Sequence, residues 1–338
     1  MKSLTIIILA FSLAVLSCKD VSLTGVANDT IYLRQNGVDM PIRVFGNIES
    51  DKMILVVHGG PGGNAIVYRD KYVVKNVETE YCMIYWDQRY AGGSQGYGGE
   101  TNISAFRDDL KKVIQLLKSK YGQNKKIFVF GHSWGGFVAP YFLIDGDNQN
   151  LAAGWIQVDG AHDYNLNDSL THAMLIEVGN QQIALNNNVS SWQPIVDYCN
   201  SHTYNENYNV AATLNSYAHQ AEGLMSDVQF SGSILPPFNN FTPYTSHSMN
   251  GMASGINEID RPTYNENIGK SLYKVTIPTL LLWGKYDFVC PKGLMTDIVN
   301  KIGSTDVTTK IFDYSGHSPM MNEPEAFWTE VMNWISTH

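Results

Sequence analysis

Three short apolar runs constrain this chain most: "MILVVH" at Met53–His58, "YCMIYW" at Tyr81–Trp86 and "KIFVFG" at Lys126–Gly131, each ending in polar or glycine residues. Continuous apolarity over so few residues suits strands buried on both faces, which a parallel sheet covered by helices provides. Between the second and third runs, Ile103, Phe106, Leu110, Val113, Ile114 and Leu117 recur at helical spacing. Asp108 and Asp109 stand early in that segment, Lys118 and Lys120 late, and Gly122 follows, an order that agrees with the helix dipole and a glycine stop. Strands alternating with such helices predict an α/β fold with a mostly parallel sheet.

Upstream, Thr30–Leu33 and Ile42–Phe45 flank Asn36-Gly37, a dipeptide that tolerates the positive φ of a tight hairpin. The alternation breaks after "WIQVDG", Trp155–Gly160: from about Asp163 to Lys270 the chain is rich in Asn, Ser, Tyr and Gly, with helical stretches such as Ser169–Leu185. Regular α/β character returns at "IPTLLLWG", Ile277–Gly284, and runs through "TTKIFDYSG" to a last helix with Phe327, Val331, Trp334 and Ile335 on one face. The expected organisation is a core of residues 18–161 and 273–338 with a mainly helical cap at 162–272 inserted into it.

The chain of 338 residues opens with Lys2, an apolar run from Leu4 to Leu16, then Ser17 and Cys18. That run has the length of a secretory signal, short of the roughly 20 apolar residues that span a bilayer. Its end, "AVLSC", resembles the lipobox of bacterial lipoproteins, although Val15 stands where leucine is commoner. The resemblance implies removal of residues 1–17, lipid attachment at Cys18, and export to the cell envelope with the lipid as the only membrane contact. Cys82, Cys199 and Cys290 remain, an odd number without a C-x-x-C pair, so buried free thiols are expected in place of a disulfide framework or cysteine zinc site. A net charge of −9 without Lys/Arg runs argues against nucleic acid as a partner and favours a small-molecule or short-peptide substrate.

In "FVFGHSWGGFVAP", Phe128–Pro140, a buried strand is followed by Gly131-His132-Ser133-Trp134-Gly135 and then by a helix. This G-x-S-x-G is the pattern of a nucleophile elbow, in which serine takes a strained strand-to-helix turn and the glycines relieve crowding. The helix N-terminus places N–H groups where an oxyanion would form. A second glycine run, "HGGPGG" at His58–Gly63, follows the first strand of the parallel set. Gly60 and Trp134 are therefore the candidate oxyanion donors.

A serine hydroxyl needs a base, and a histidine base needs a carboxylate to fix its tautomer. Asp287 in "GKYDFVCP" and His317 in "YSGHSP" each follow a strand, in the order Ser, Asp, His. His58 and His132 belong to the glycine motifs and are expected to pack or hydrogen-bond beside the site. Asp313 is too near His317 in sequence to face it, and Asp306 precedes its strand. No ligand cluster or dinucleotide fingerprint is present, so neither a metal nor an organic cofactor is expected.

These residues resemble the α/β-hydrolase superfamily and, more narrowly, its proline iminopeptidase-like branch. The narrower resemblance rests on "HGGPGG" and on "WDQRYAGGS", Trp86–Ser94, which is similar to that branch's D-Q-R-G-x-G-x-S, with Tyr90 in place of the first glycine. It implies a sheet with a cap inserted after the sixth strand, "WIQVDG", and a Ser133–His317–Asp287 hydrolase working through an acyl-enzyme. It also implies cap carboxylates that bind a substrate's free amine. Glu177, Glu206, Glu222 and Glu258 are available, but the branch's W-x-x-W-E motif is missing, and Trp192 is the cap's only tryptophan. The elbow reads "GHSWGG", a form shared with many esterases, where that branch reads closer to "GGSWGS". The expected function is that of an aminopeptidase on short peptides; the alternative is a carboxylesterase or lactonase of small acyl substrates, and a third reading, a lipid-anchored binding protein of the same fold, is disfavoured by the intact triad.

Overall fold

A computed structural model of the chain describes residues 25–96, 98, 102–228 and 267–338. Cys18 and the signal-like segment lie outside the described residues, as does Glu258. Eight strands form one sheet: β1 (Val26–Gln35), β2 (Val38–Asn47), β3 (Lys52–Val57), β4 (Cys82–Trp86), β5 (Lys126–His132), β6 (Gly154–Val158), β7 (Thr279–Gly284) and β8 (Val307–Phe312). Their spatial order is β1-β2-β4-β3-β5-β6-β7-β8. β2 pairs antiparallel with both β1 and β4, and the remaining pairings are parallel.

Both faces of the central strands are buried, the physical reason their sequences are apolar throughout. On one face Met53, Leu55, Val57, Ile127 and Val129 pack with the apolar stripe of α1 (Ile103–Tyr121) and with α2 (Gly135–Leu143). On the other, Ile54, Val56, Phe128 and Phe130 meet Phe327, Trp328, Val331 and Trp334 of the C-terminal helix Pro324–Thr337. The β1–β2 hairpin is longer than its apolar signal: ten residues pair on each side of Asn36-Gly37, whose φ values of 49° and 79° match a two-residue turn. The outer strand β1 alternates exposed and half-buried residues, so its ends carry no apolar run to read.

Asp109 has a partner that its place early in α1 does not show. It is wholly buried and pairs with Arg89 through bonds of 2.6 and 2.8 Å. The chain leaves β3 for β4 on one side and reaches β5 on the other, which opens a crevice at the carboxyl ends of β3 and β5. Between β6 and β7 the described residues form three α-helices, α3 (Tyr164–Ala184), α4 (Val189–Ser201) and α5 (Tyr208–Leu224), and α3 and α5 border that crevice. Cys82, Cys199 and Cys290 are free and buried.

Candidate active site

Ser133 stands between β5 and α2 with φ at +54°, a left-handed conformation that a non-glycine residue holds only when its surroundings enforce it. Its N–H donates to Val158 O at 3.1 Å, and its own carbonyl accepts from Gly136. Gly135 must lack a side chain here, because a Cβ would lie 1.8 Å from the Val57 carbonyl oxygen. The close approach of elbow and β3 therefore depends on that glycine.

His317, in the loop after β8, accepts from the Ser133 hydroxyl at Nε2, 2.9 Å away, and donates through Nδ1 to Asp287 Oδ2 at 3.0 Å. The tautomer follows from the partners, since a carboxylate only accepts. Asp287 is wholly buried, and its Oδ1 accepts the N–H groups of Val289 and Cys290, both at 2.8 Å. Burial alone would lower the His317 pKa, but the charge and hydrogen bond of Asp287, together with the charge of Glu222, hold it above the ordinary imidazole value.

Gly60 and Trp134, the proposed oxyanion donors, line the same cavity as Ser133 and His317, a space of about 480 Å³. Gly60 has φ at +143°, and a Cβ there would meet Gly62 N at 2.4 Å. The glycine loop is tied to the elbow by Gln88, from the "WDQRY" motif. The Gln88 side-chain amide donates to His58 O at 2.8 Å and accepts from the Trp134 indole N–H at 3.0 Å, while its backbone N–H donates to His58 Nε2 at 3.1 Å. With Nε2 accepting, the His58 proton sits on Nδ1 and goes to Gly59 O at 2.7 Å. Asp87 continues the network, accepting from Ala65 N–H, Gly93 N–H and Arg43.

Behind Ser133 runs a second chain. Gly59 N–H donates to Tyr68 Oη, the Tyr68 hydroxyl donates to His132 Nδ1 at 2.6 Å, and His132 Nε2–H donates to His317 O at 2.7 Å. Burial, reinforced by neighbouring His317, pushes the His132 pKa down to about 3, and burial lowers that of His58 as well. Both histidines are thus neutral scaffolding for the two loops, in keeping with their expected places.

The helices after β6 bring their own polar groups. Asn167 and Asp168 of α3 and Asn215 and His219 of α5 line the cavity. Glu222, also on α5, accepts the His317 backbone N–H at 2.9 Å, and burial raises its pKa. Of the four glutamates singled out from the sequence, Glu222 alone reaches the site among the described residues: Glu177 and Glu206 are exposed, and Glu258 lies outside them. Asp168 was missed, though the spacing of Tyr164, Asp168, Thr171 and Leu175 is that of one helix face, and all but Tyr164 are buried. Among the described residues, no group of His, Cys, Asp and Glu could hold a metal ion, and no helix is long and apolar enough to cross a membrane.

The family model described as alpha/beta hydrolase fold matches residues 52–324. The chain is 23% identical over 326 residues to "Probable aminopeptidase YbaC" of Bacillus subtilis, covering 93% of this chain and 94% of that one. It is likewise 23% identical over 313 residues to a proline iminopeptidase of Saccharolobus solfataricus, covering 90% and 91%. Similar solved structures include a proline iminopeptidase of Mycobacterium smegmatis (TM-score 0.62, 16% identity, 92% of this chain and 98% of that one). An esterase of Exiguobacterium antarcticum is also similar (TM-score 0.57, 18% identity, 92% and 100%). With the family model spanning most of the chain, and with aminopeptidases and esterases among its relatives, the protein belongs to the alpha/beta hydrolase family and is a hydrolase.

Proposed function

We propose that the chain is a serine hydrolase that acts through an acyl-enzyme, with Ser133 as nucleophile, His317 as base and Asp287 as orienting acid. The single observation behind this reading is the unbroken chain from Ser133 Oγ to His317 Nε2 and from His317 Nδ1 to Asp287 Oδ2. As Ser133 Oγ bonds to the substrate carbonyl carbon, its proton passes to His317 Nε2, and the imidazolium is stabilised by Asp287. The carbonyl electron pair moves onto oxygen, where the N–H groups of Gly60 and Trp134 receive it. The carbonyl–leaving-group bond then breaks, and His317 returns its proton to the departing amine or alcohol. Water, deprotonated by the same histidine, releases the acid and regenerates Ser133.

The favoured substrate is a short peptide with a free amino terminus. Asp168 of α3 is among the residues that line the cavity holding the serine, and Glu222 of α5 lies against His317, whose backbone N–H its carboxyl accepts, so one acidic residue lines the cavity and a second adjoins its histidine. A buried ammonium requires such a partner. The esterase reading draws on a different observation: Pro61, Ala161, Ala211, Ala212 and Val289 give the same cavity a small apolar wall suited to a short acyl group. Export with a lipid on Cys18 belongs to the proposal as well, and mass spectrometry of the mature N-terminus tests it.

The substrate question turns on a panel of free and N-acetylated aminoacyl-naphthylamides and nitrophenyl esters, run on wild type and Asp168→Asn. The aminopeptidase reading expects acetylation to reduce kcat/KM by about a hundredfold, and Asp168→Asn to weaken free-amine substrates by about tenfold or more while esters change by less than about threefold. Equal handling of blocked and free amines leaves the esterase reading in its place.

A further inference from the structure

One buried titratable group beside the site has no part in this scheme. Asp159 follows β6, is wholly buried, and has φ at +43°. Its N–H donates to Leu282 O at 3.1 Å and its Oδ1 accepts Gly284 N–H at 2.9 Å, so the residue is fixed against β7. Its Oδ2 is buried and meets no hydrogen-bond donor among the described residues. The neighbour of this carboxyl, within hydrogen-bonding reach, is the carboxyl of Asp287. Asp287 in turn already receives three N–H donors, from Val289, Cys290 and His317.

Two carboxylates pressed together away from water cannot both be charged unless a cation lies between them. The groups that bear on Asp159 are Asp287, the Cys290 thiol and the Glu222 carboxyl, none of them a cation. His317 lies on Asp287 and not on Asp159, and His219, which also feels the charge of Asp287, is held toward its neutral form by burial and by His317. Burial first, and then the charge of Asp287, push the Asp159 carboxyl well above the ordinary carboxylate range. A proton on Oδ2 removes both the unpaired buried oxygen and the repulsion.

We infer that Asp159 is held as a neutral carboxylic acid whose O–H donates to the Asp287 carboxylate, making it a positioning residue that fixes the orientation of Asp287 toward His317. Its kinetic consequence rests on the proposed roles of Ser133, His317 and Asp287; its protonation does not. At alkaline pH, loss of this proton would set a second negative charge against Asp287, Cys290 and Glu222 and displace the acid from His317. Asparagine in its place keeps both a donor for Asp287 and an acceptor for Gly284 N–H but cannot ionise.

The test compares wild type, Asp159→Asn and Asp159→Leu. In infrared spectra at about pH 7, wild type should show a protonated-carboxyl C=O band that is absent from Asp159→Asn, a readout that needs no activity and no leucine variant. In kinetics, Asp159→Asn should stay within about threefold of wild type in kcat and should lose any alkaline fall that wild type shows. Asp159→Leu should lose about tenfold or more in kcat with KM little changed. Identical carboxyl bands in wild type and Asp159→Asn would overturn the inference, as would an asparagine variant as impaired as the leucine one. The band without hydrolysis of any substrate would uphold the neutral acid and count against the hydrolase roles instead.

Discussion

Replacing Gln88 with methionine, a side chain of similar length with no hydrogen-bond donor and only a weakly accepting thioether, removes the amide that joins the glycine loop to the elbow. Two groups lose their partners: the His58 carbonyl, 2.8 Å from the amide nitrogen, and the Trp134 indole N–H, 3.0 Å from the amide oxygen. Gln88, His58 and Trp134 are all at most 2% exposed, so water does not replace the lost bonds. An unpaired buried polar group costs about 1–3 kcal/mol, which puts Gln88→Met at about 2–6 kcal/mol, and the lower half of that range is expected because the backbone bond from Gln88 N–H to His58 Nε2 survives. Complete removal of one oxyanion donor costs about 100- to 1000-fold in kcat, and loosening the two segments that carry Gly60 and Trp134 should cost about 10- to 100-fold. Urea unfolding should show a lower midpoint at an unchanged slope, and kinetics on a nitrophenyl ester should show the fall in kcat with KM within about twofold. An unchanged midpoint would refute the energetic argument, and a loss confined to KM would refute a role for Gln88 in holding the proposed oxyanion donors Gly60 and Trp134.

Ser133→Ala should abolish turnover and fluorophosphonate labelling while shifting Tm by only a degree or two, because the hydroxyl's one bond is to His317; turnover within about tenfold of wild type would remove Ser133 from its role. The acid limb of kcat/KM should report His317, which must be neutral to accept a proton: activity falls as pH drops through a midpoint above 6.5, and Asp287→Asn or Glu222→Gln should move that midpoint down. His132, His58 and His219 all have lowered values, so they cannot supply a limb there, and a midpoint below 6.5 would count against the assignment. Asp109→Ala, which removes the carboxylate paired with buried Arg89, should cost about 3–5 kcal/mol in chemical denaturation with KM unchanged; a loss under about 1 kcal/mol would mean the pair contributes little.

The strands were legible because burial on both faces leaves a local signature: every residue of β4 and β7 is buried, and each run is apolar whichever way its side chains point. The elbow was legible for a related reason, since a left-handed serine pressed against β3 needs glycine at position 135 whatever surrounds it. The order Ser133, Asp287, His317 could also be read, because each residue follows a strand and strands of a parallel sheet deliver their ends to one edge. Groups whose role depends on a partner far along the chain left no such mark. Nothing near Asp109 in sequence shows that Arg89 turns it inward. The sequence equally does not say that Gln88 bridges His58 and Trp134, that α3 turns Asp168 into the cavity while Glu177 faces water, or that β6 and β7 set Asp159 beside Asp287. Periodicity fixes which residues share a helix face or a strand face, but the neighbour of a buried charge is decided by how elements dock, and that depends on contacts between segments far apart in the chain, such as those of His132 and His317, separated by 185 residues.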